Sequence, residues 1–513
     1  MHEASWRVRA STIATLTVIA AASLALGLWN NDFPLGYHPD EVKKVGFIAT
    51  GTQDFHLPIL LLQLTRAANV FARLEGGQEI VELGRAVSAV AGACIVVLSF
   101  LLARQILPPL GSLLVAALTA VSPILVVHAH YLKEDMVFTA CALAALLALC
   151  GFVARPIFTR AVLLGVSLGL AVAAKYAGAL LLVVVMVAPL VRRSTPMRSF
   201  YLRLLPAVLC AVVTFCAVNL PLFSQLDVFQ GGLSFEMAHA VEGHEGMRIP
   251  GWRCFFVFHL LHSIVPGMTW PVALLGLAGI ALTVAGWEAS PWRQRLMVVY
   301  VAIFYLAVEL SPLKALPDFM RYVIPVVPVL CVLAVVAVSH VTRIRIRGRG
   351  WVVGALAGAA LVVSARETLL LTHYLTRDTR EAAVAEVERT GLSAVPERFT
   401  PLPNRVRSLA ALDVEEERAR GTALLVANSF MYERYRLAAS YGAPNPWVHQ
   451  RVERYEKLFR YPCVEIRPRY KSFAFSNPTI RIIDIRGQRG PKNERSRETR
   501  PGPAAIRSSA MQK

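Results

Sequence analysis

Apolar residues in this chain come in long uninterrupted runs, not in the short alternations of a half-buried strand or the spaced stripe of a surface helix. About 20 such residues cross a bilayer as a helix. The candidate runs are residues 11–29, 84–103, 110–128, 136–154, 161–173, 177–191, 204–220, 266–285, 296–311, 322–340 and 350–366. The stretch from Ala161 to Val191 is too long for one ordinary span and is interrupted by Lys175, so it is read as two short helices. The pattern predicts an α-helical polytopic membrane protein with about 11 transmembrane helices.

Near residue 367 the pattern changes. A helix-like "DTREAAVAEVERTG" is followed by the β-like runs "TALLVA", "CVEIRP" and "TIRIIDIRG". A membrane domain over 1–366 and a small extracytoplasmic α/β domain over 367–486 are expected. The last stretch, 487–513, is polar, basic and rich in Pro and Gly, which predicts disorder.

Composition agrees with the runs. Only 17% of residues are charged, against about 25% in a soluble protein. The net charge is +19, with 44 Arg against 9 Lys. Much of that excess sits in short Arg clusters between apolar runs, which marks cytoplasmic loops and argues against nucleic acid as a partner. With the N-terminus inside, these loops hold Arg7 and Arg9, Arg104, Arg155 and Arg160, Arg192, Arg193, Arg198 and Arg203, Arg293 and Arg295, and Arg343, Arg345, Arg347 and Arg349. The pattern needs the split at Lys175. The first run has two Arg before it and no small-x-small cleavage site after it, so it reads as a retained span. Six of the eight cysteines lie inside apolar runs as packing residues, and Cys254 with Cys463 is one conceivable pair whose geometry the sequence does not give.

The topology leaves a first outer loop near 30–83, another near 220–252, and everything after 367. Five of the nine lysines, Lys43, Lys44, Lys133, Lys175 and Lys314, fall on this face, where cations are disfavoured. Any one of them could snorkel to the headgroups. Gathered beside acids, the set suggests an anionic ligand, with a lipid phosphate the first candidate. The acids are Asp40 and Glu41 in "HPDEVKK", Glu134 and Asp135 in "HAHYLKEDM", and Glu242 and Glu245 in "AVEGHEGM", which also holds His244. An ordinary solvated loop is the plain alternative, but ionisable groups at membrane depth are expensive and point to function. His38, His56, His128 and His130 have no metal-type spacing, so a hydrogen-bonding role is expected of them. Group transfer from a lipid-linked phosphate suits a carboxylate among cations. Lys or Arg stabilises the leaving phosphate, and the carboxylate takes the proton of an acceptor hydroxyl. One such base implies a single displacement with inversion.

At these residues the chain resembles the GT-C glycosyltransferases, in the branch of protein O-mannosyltransferases and lipid A aminoarabinose transferases. The likeness is carried by "YHPDE" (37–41) with "FHLPILLLQL" (55–64), "GRAVSAVAGACIVVLSFLLAR" (84–104), "SPILVVHAHYLKEDMVF" (122–138), "GVSLGLAVAAKYAGALL" (165–181) and "ALPDFMRYVIPVVPVL" (315–330), in that order over about residues 10–340. "DTREAAVAEV" is similar to the family's outer C-terminal region.

The resemblance implies a polyprenyl-phosphate sugar donor and a protein, lipid or polysaccharide acceptor, in a bacterial inner membrane with the site on its extracytoplasmic face. It implies Asp40 as the catalytic base, Glu41 orienting the acceptor, and Asp135 binding acceptor or a divalent cation. Lys43, Lys44, Lys175, Arg321 and Tyr322 are expected around the donor phosphate. His38, His56, Glu134, Glu242 and His244 are expected to support the acceptor. The C-terminal region lacks the β-trefoil repeats of eukaryotic O-mannosyltransferases, which leaves the acceptor open. A transporter or flippase of an anionic lipid or solute is the competing class, but repeated halves with broken helices at the midplane are not evident. A catalytically silent scaffold would more naturally have lost the Asp-Glu pair.

Overall fold

The computed structural model describes residues 2–193, 197–242, 248–341, 349–487 and 494–496. The basic segment holding Arg343, Arg345 and Arg347, the expected acceptor residue His244 and the outer-face acid Glu245 lie outside them.

The membrane part opens with α1 (His2–Leu28), then a loop, α2 (Glu41–Thr50), α3 (Leu60–Ala72) and α4 (Gly77–Ala103). There follow α5 (Pro109–Ala120), α6 (Pro123–Ala129), α7 (Glu134–Ala154), α8 (Phe158–Ala174), α9 (Leu180–Arg192) and α10 (Met197–Val218). The segment after α10 forms α11 (Leu226–Glu242). Then come α12 (Val265–Met268), α13 (Trp270–Ala285), α14 (Trp292–Leu310), α15 (Val327–Val341) and α16 (Arg349–His373).

Among the described residues, six helices are long and apolar enough to cross a membrane: Arg9–Leu28, Gly77–Ala103, Glu134–Ala154, Met197–Val218, Met320–Val341 and Gly350–His373. Two bent pairs raise this to eight. α5 and α6 meet at 55° at the Ser122-Pro123 break, and Leu260–Met268 meets α13 at 113°. Thr269, between the last two, has φ 68°, outside any helix. Eleven separate spans were expected; the shorter count reflects these bends, the modest length of α8 and α9, and the charges Arg293, Arg295 and Glu309 carried by α14. The chain does break at Lys175, whose backbone is extended between them.

Helix packing relies on small residues, as expected where lipid offers no hydrophobic drive between helices. α8 lies against α10 with Gly165 on Ala207 and Gly169 on Ala211. A Cβ on Gly165 would stand 2.3 Å from the Ala207 carbonyl, so the approach admits no larger residue.

The C-terminal region contains α17 (Thr379–Thr390), β1 (Ala394–Pro396), α18 (Val414–Ala419), β2 (Leu424–Asn428), α19 (Ser429–Ser440), α20 (Pro446–Leu458), β3 (Cys463–Ile466), β4 (Ile480–Asp484) and β5 (Glu494–Ser496). The sheet order is β1-β2-β4-β3-β5. β1 runs parallel to β2, β4 pairs antiparallel with both β2 and β3, and β5 runs parallel to β3. β2 is buried along its whole length, which is why it reads as a continuous apolar run. Cys254 and Cys463 are both free thiols.

The apolar core is continuous from the helices into this sheet, through Tyr37, Tyr131, Phe430 and Phe475. A buried fork reinforces the junction. Arg380 donates to the Tyr37 carbonyl at 2.9 Å and the Phe475 carbonyl at 2.8 Å, and is gripped by both oxygens of Asp378 at 2.8 Å. The same Asp378 caps α17 through the Arg380 N–H. The loop that carries Tyr37 to Asp40 is thus held from the C-terminal side.

Candidate active site

A polar cavity of about 400 Å³ opens where α2, the start of α7, Lys175, α11 and the segment 318–322 meet. Asp40 is on its wall. The Asp40 N–H donates to His38 Nδ1 at 3.3 Å, fixing the turn that precedes α2. His38 is fully buried between the rings of Tyr131 (4.8 Å) and Phe475 (4.6 Å). Burial keeps this imidazole neutral, well below its ordinary pKa.

The Asp40 carboxylate is 2.6 Å from Lys133 Nζ and 3.8 Å from Arg321 Nη2. Its side chain is 37% exposed, and that exposure is to the cavity. Burial raises its carboxyl, but Lys133, His38 and Arg321 outweigh this and hold it well below the usual carboxylate range. Asp40 is therefore ionised at neutral pH and faces open space.

Asp135, in the first turn of α7, accepts from Lys175 at 2.7 Å and lies 3.6 Å from Arg321 Nε. Arg321 thus bridges the two aspartates, yet its Nε and Nη1 have no hydrogen-bond partner. Lys175 also sits 4.6 Å over the Tyr322 ring. Glu134 binds Lys44 and lies 3.3 Å from Lys133, and Lys43 pairs with Asp54. Burial pulls the Lys44 ammonium down to about 8 despite Glu134. His56 lies 3.6 Å from Asp54 and stacks on Phe235 of α11 at 4.3 Å. Phe235 stacks on His239, one turn along, and Gly232 lets α11 pass close over the backbone of Asp54 and Phe55.

Beside the polar cavity runs an apolar groove of about 340 Å³, lined by Leu57, Phe138, Leu180, Met237, Phe304 and Pro325 among others. Lys175, Glu236, His239, Arg321 and Tyr322 line both. An amphipathic molecule with a charged head would find its two environments side by side here.

Most of the residues expected from the sequence line this cavity, and five do not. His38, expected to support the acceptor, is enclosed behind the wall and only fixes the turn of Asp40, and Asp135 is buried behind Lys175 and Arg321. Glu41, adjacent to Asp40, is turned into the protein. Its carboxylate takes Arg85 Nε at 2.9 Å and Nη2 at 2.7 Å and accepts the Leu132 N–H at 3.1 Å, all fully enclosed. It ties α2 to α4 and the turn before α7, so no acceptor reaches it. Glu242 is exposed at the end of α11 and does not line the cavity. Lys314 caps the end of α14, donating to the Glu309 and Ser311 carbonyls at 2.8 and 2.6 Å. Lys133, expected only as one of a set, is Asp40's nearest cation. Glu236, Asp318 and Arg398 also line the cavity, and nothing local in the sequence sets them apart from surface charges. Asp318 accepts from Arg434 of α19 at 2.7 Å. Arg85 did leave a signal, a lone cation at the end of an apolar run that required a buried acid.

Among the described residues, no three His, Cys, Asp or Glu side chains gather as a metal site. Asp135, the acid that the resemblance would offer a divalent cation, is engaged by Lys175 and Arg321. These residues do not fit a metal, and no step below uses one.

Residues 68–219 match the family model of the dolichyl-phosphate-mannose-protein mannosyltransferases. No curated protein sequence matches the chain. Among solved structures, the chain is similar to the ArnT of Cupriavidus metallidurans bound to undecaprenyl phosphate, with a TM-score of 0.53 and 15% identity over 95% of this chain and 99% of that one. The apo form of that ArnT gives a TM-score of 0.55 at 15% identity, covering 94% and 98%. The archaeal oligosaccharyltransferase AglB from Archaeoglobus fulgidus, in complex with an inhibitory peptide and a dolichol-phosphate, gives 0.56 at 12% identity, covering 89% and 73%. By its fold, the chain resembles the GT-C membrane glycosyltransferases, as its motifs lead one to expect.

Proposed function

We propose that the protein is a membrane glycosyltransferase. It moves a hexosyl or pentosyl unit from a polyprenyl-phosphate donor to an acceptor hydroxyl by one inverting displacement, on the extracytoplasmic face of a bacterial inner membrane. The observation that carries this reading is the arrangement at Arg321. Two of its nitrogens are buried without hydrogen-bond partners, at the wall shared by a polar cavity containing Asp40 and an apolar groove. A phosphate on Arg321 and Lys175 would lay its lipid tail in the groove and its sugar in the cavity. The guanidinium fork suits phosphate oxygens. The solved ArnT and AglB structures that share the fold hold undecaprenyl phosphate and dolichol-phosphate respectively.

In the reaction, Asp40 accepts the proton of the acceptor hydroxyl as its oxygen bonds to the anomeric carbon. The bond from that carbon to the phosphate oxygen breaks, and polyprenyl phosphate leaves with its charge held by Arg321 and Lys175. Lys133 keeps Asp40 ionised and fixes its rotamer. The acceptor is a protein, lipid or polysaccharide that enters beside Arg398 and Asp318. The transporter reading is less well supported, because the charges converge on the wall of one cavity that holds the ionised Asp40.

The test uses purified protein in nanodiscs with a panel of polyprenyl-phosphate sugars, with donor loss followed by mass spectrometry. Slow hydrolysis or transfer by the wild type, absent in Asp40→Asn, is expected. Donor binding unaffected by Asp40→Asn and no turnover by either protein with any acceptor would refute the assignment.

A further inference from the structure

The reaction above leaves one carboxylate of the cavity without a task. Five acids line the polar cavity: Asp40, Asp54, Glu134, Glu236 and Asp318. Four have cationic partners, Lys133 and Arg321 for Asp40, Lys43 for Asp54, Lys44 and Lys133 for Glu134, and Arg434 for Asp318. Among the described residues, Glu236 has no hydrogen bond or ion pair. The cations that act on it, Lys133, Lys175 and Arg321, are in ion pairs with Asp40 and Asp135. It is half-buried, and burial raises its carboxyl against their pull.

Its position is as informative as its lack of partners. Glu236 belongs to both the polar cavity and the apolar groove. α11 is fixed there from both sides of Glu236, by Phe235 on His56 and by His239 near Phe319 at 6.2 Å. With the phosphate on Arg321 and Lys175 and the lipid in the groove, the group attached to the phosphate lies beneath α11. A carboxylate there accepts hydrogen bonds and, in its ionised form, repels anions.

We infer that Glu236 determines donor-sugar specificity: it accepts hydrogen bonds from the hydroxyl groups of the donor sugar and excludes sugars that carry a carboxylate of their own. This rests on the lipid-phosphate reading above. It sets uronosyl lipids outside the donor class. Glu236 is distinct from the reacting centre, since Asp40 takes the proton and Arg321 the phosphate.

The experiment measures binding of three probes to nanodisc-embedded protein: undecaprenyl phosphate, undecaprenyl-phosphate mannose and undecaprenyl-phosphate glucuronate. The wild type should prefer the mannosyl to the glucuronyl lipid by ~100-fold, the combined effect of made hydrogen bonds and charge repulsion. Glu236→Gln should narrow that preference by ~10-fold, chiefly by admitting the glucuronyl lipid. It should bind bare undecaprenyl phosphate at least as tightly as the wild type does, which also shows that the variant is folded. Glu236→Ala should additionally lose the advantage of the mannosyl lipid over the bare one. An unchanged mannosyl-to-glucuronyl ratio in Glu236→Gln, with bare-lipid binding intact, overturns the inference and leaves the lipid-phosphate reading standing. Failure of the wild type to bind any of the three removes that reading and the inference with it.

Discussion

Asp40 and Glu41 are consecutive, and both end in ion pairs, yet their surroundings differ completely. Around Asp40 the cations are arranged on a cavity wall, and hydrogen-bonding capacity is left over on Arg321. Around Glu41 nothing is left over. Arg85 meets it with two nitrogens, gives a third to the carbonyls of Asn31 and Phe33, and lies 3.5 Å over the Phe33 ring. A saturated network holds structure, whereas an unsaturated one beside a cavity binds something. The comparison teaches that residue type and ion pairing do not separate the two roles. Residual donors and acceptors facing space do.

The contrast is sharpest when each acid loses its charge. Asp40→Asn should cut transfer ~10³-fold or more while the thermal midpoint stays near wild type, because the amide still fills the site but accepts no proton. Glu41→Gln should do the reverse, destabilising by about 3–5 kcal/mol through the uncompensated Arg85, with turnover per folded molecule nearly intact. Parallel unfolding curves and rates decide between them. Equal losses of stability in both variants would end the distinction.

Glu397 extends the comparison to a third environment. It is fully buried in the C-terminal region, accepting from Tyr455 and from the Leu409 and Asn428 N–H groups at 2.8 and 3.1 Å. Burial raises its carboxyl from 4.5 to about 7. The folded state then holds this proton more tightly than the unfolded chain. Ionisation costs nothing below the unfolded value, and the cost grows as pH rises to about 7 and is constant beyond. This group should therefore lower stability by about 3 kcal/mol between acid and neutral pH. Denaturant midpoints across that range should show the slope, and Glu397→Gln should flatten it.

The smallest effect is expected at Lys43. It lines the cavity, but its side chain is 55% exposed and it pairs with a partly exposed Asp54. Lys43→Ala should change stability by less than about 1 kcal/mol and donor KM by no more than about threefold. A loss as large as that of Arg321→Ala would place the phosphate nearer α2 than the unpartnered nitrogens suggest.

Much of this was legible along the chain. Uninterrupted apolar runs gave the helices, because a bilayer rewards apolar length and length is a local property. The break at Lys175 showed as a cation inside an apolar run, and Asp40 and Asp135 stood out as charges where charges are costly, whereas Arg321 came from the family resemblance alone. The bends at Thr269 and Ser122-Pro123 were less visible, since the flanking segments read as apolar whether straight or folded back. Lys133 was visible only as one cation among five. Glu236 was missed on an exposed helix, while Glu242, less than two turns later, drew attention.

What the sequence by itself determined is therefore where the chain enters lipid, where charge accumulates and which small residues let helices touch. What only the tertiary structure decided is which charges meet. Glu41 finds Arg85 across 44 residues, Lys44 finds Glu134 across 90, and Arg434 reaches Asp318 across 116. Burial depends on every neighbouring element at once, and a carboxylate becomes a base, a brace or a selectivity element according to what is packed around it, which no local pattern encodes.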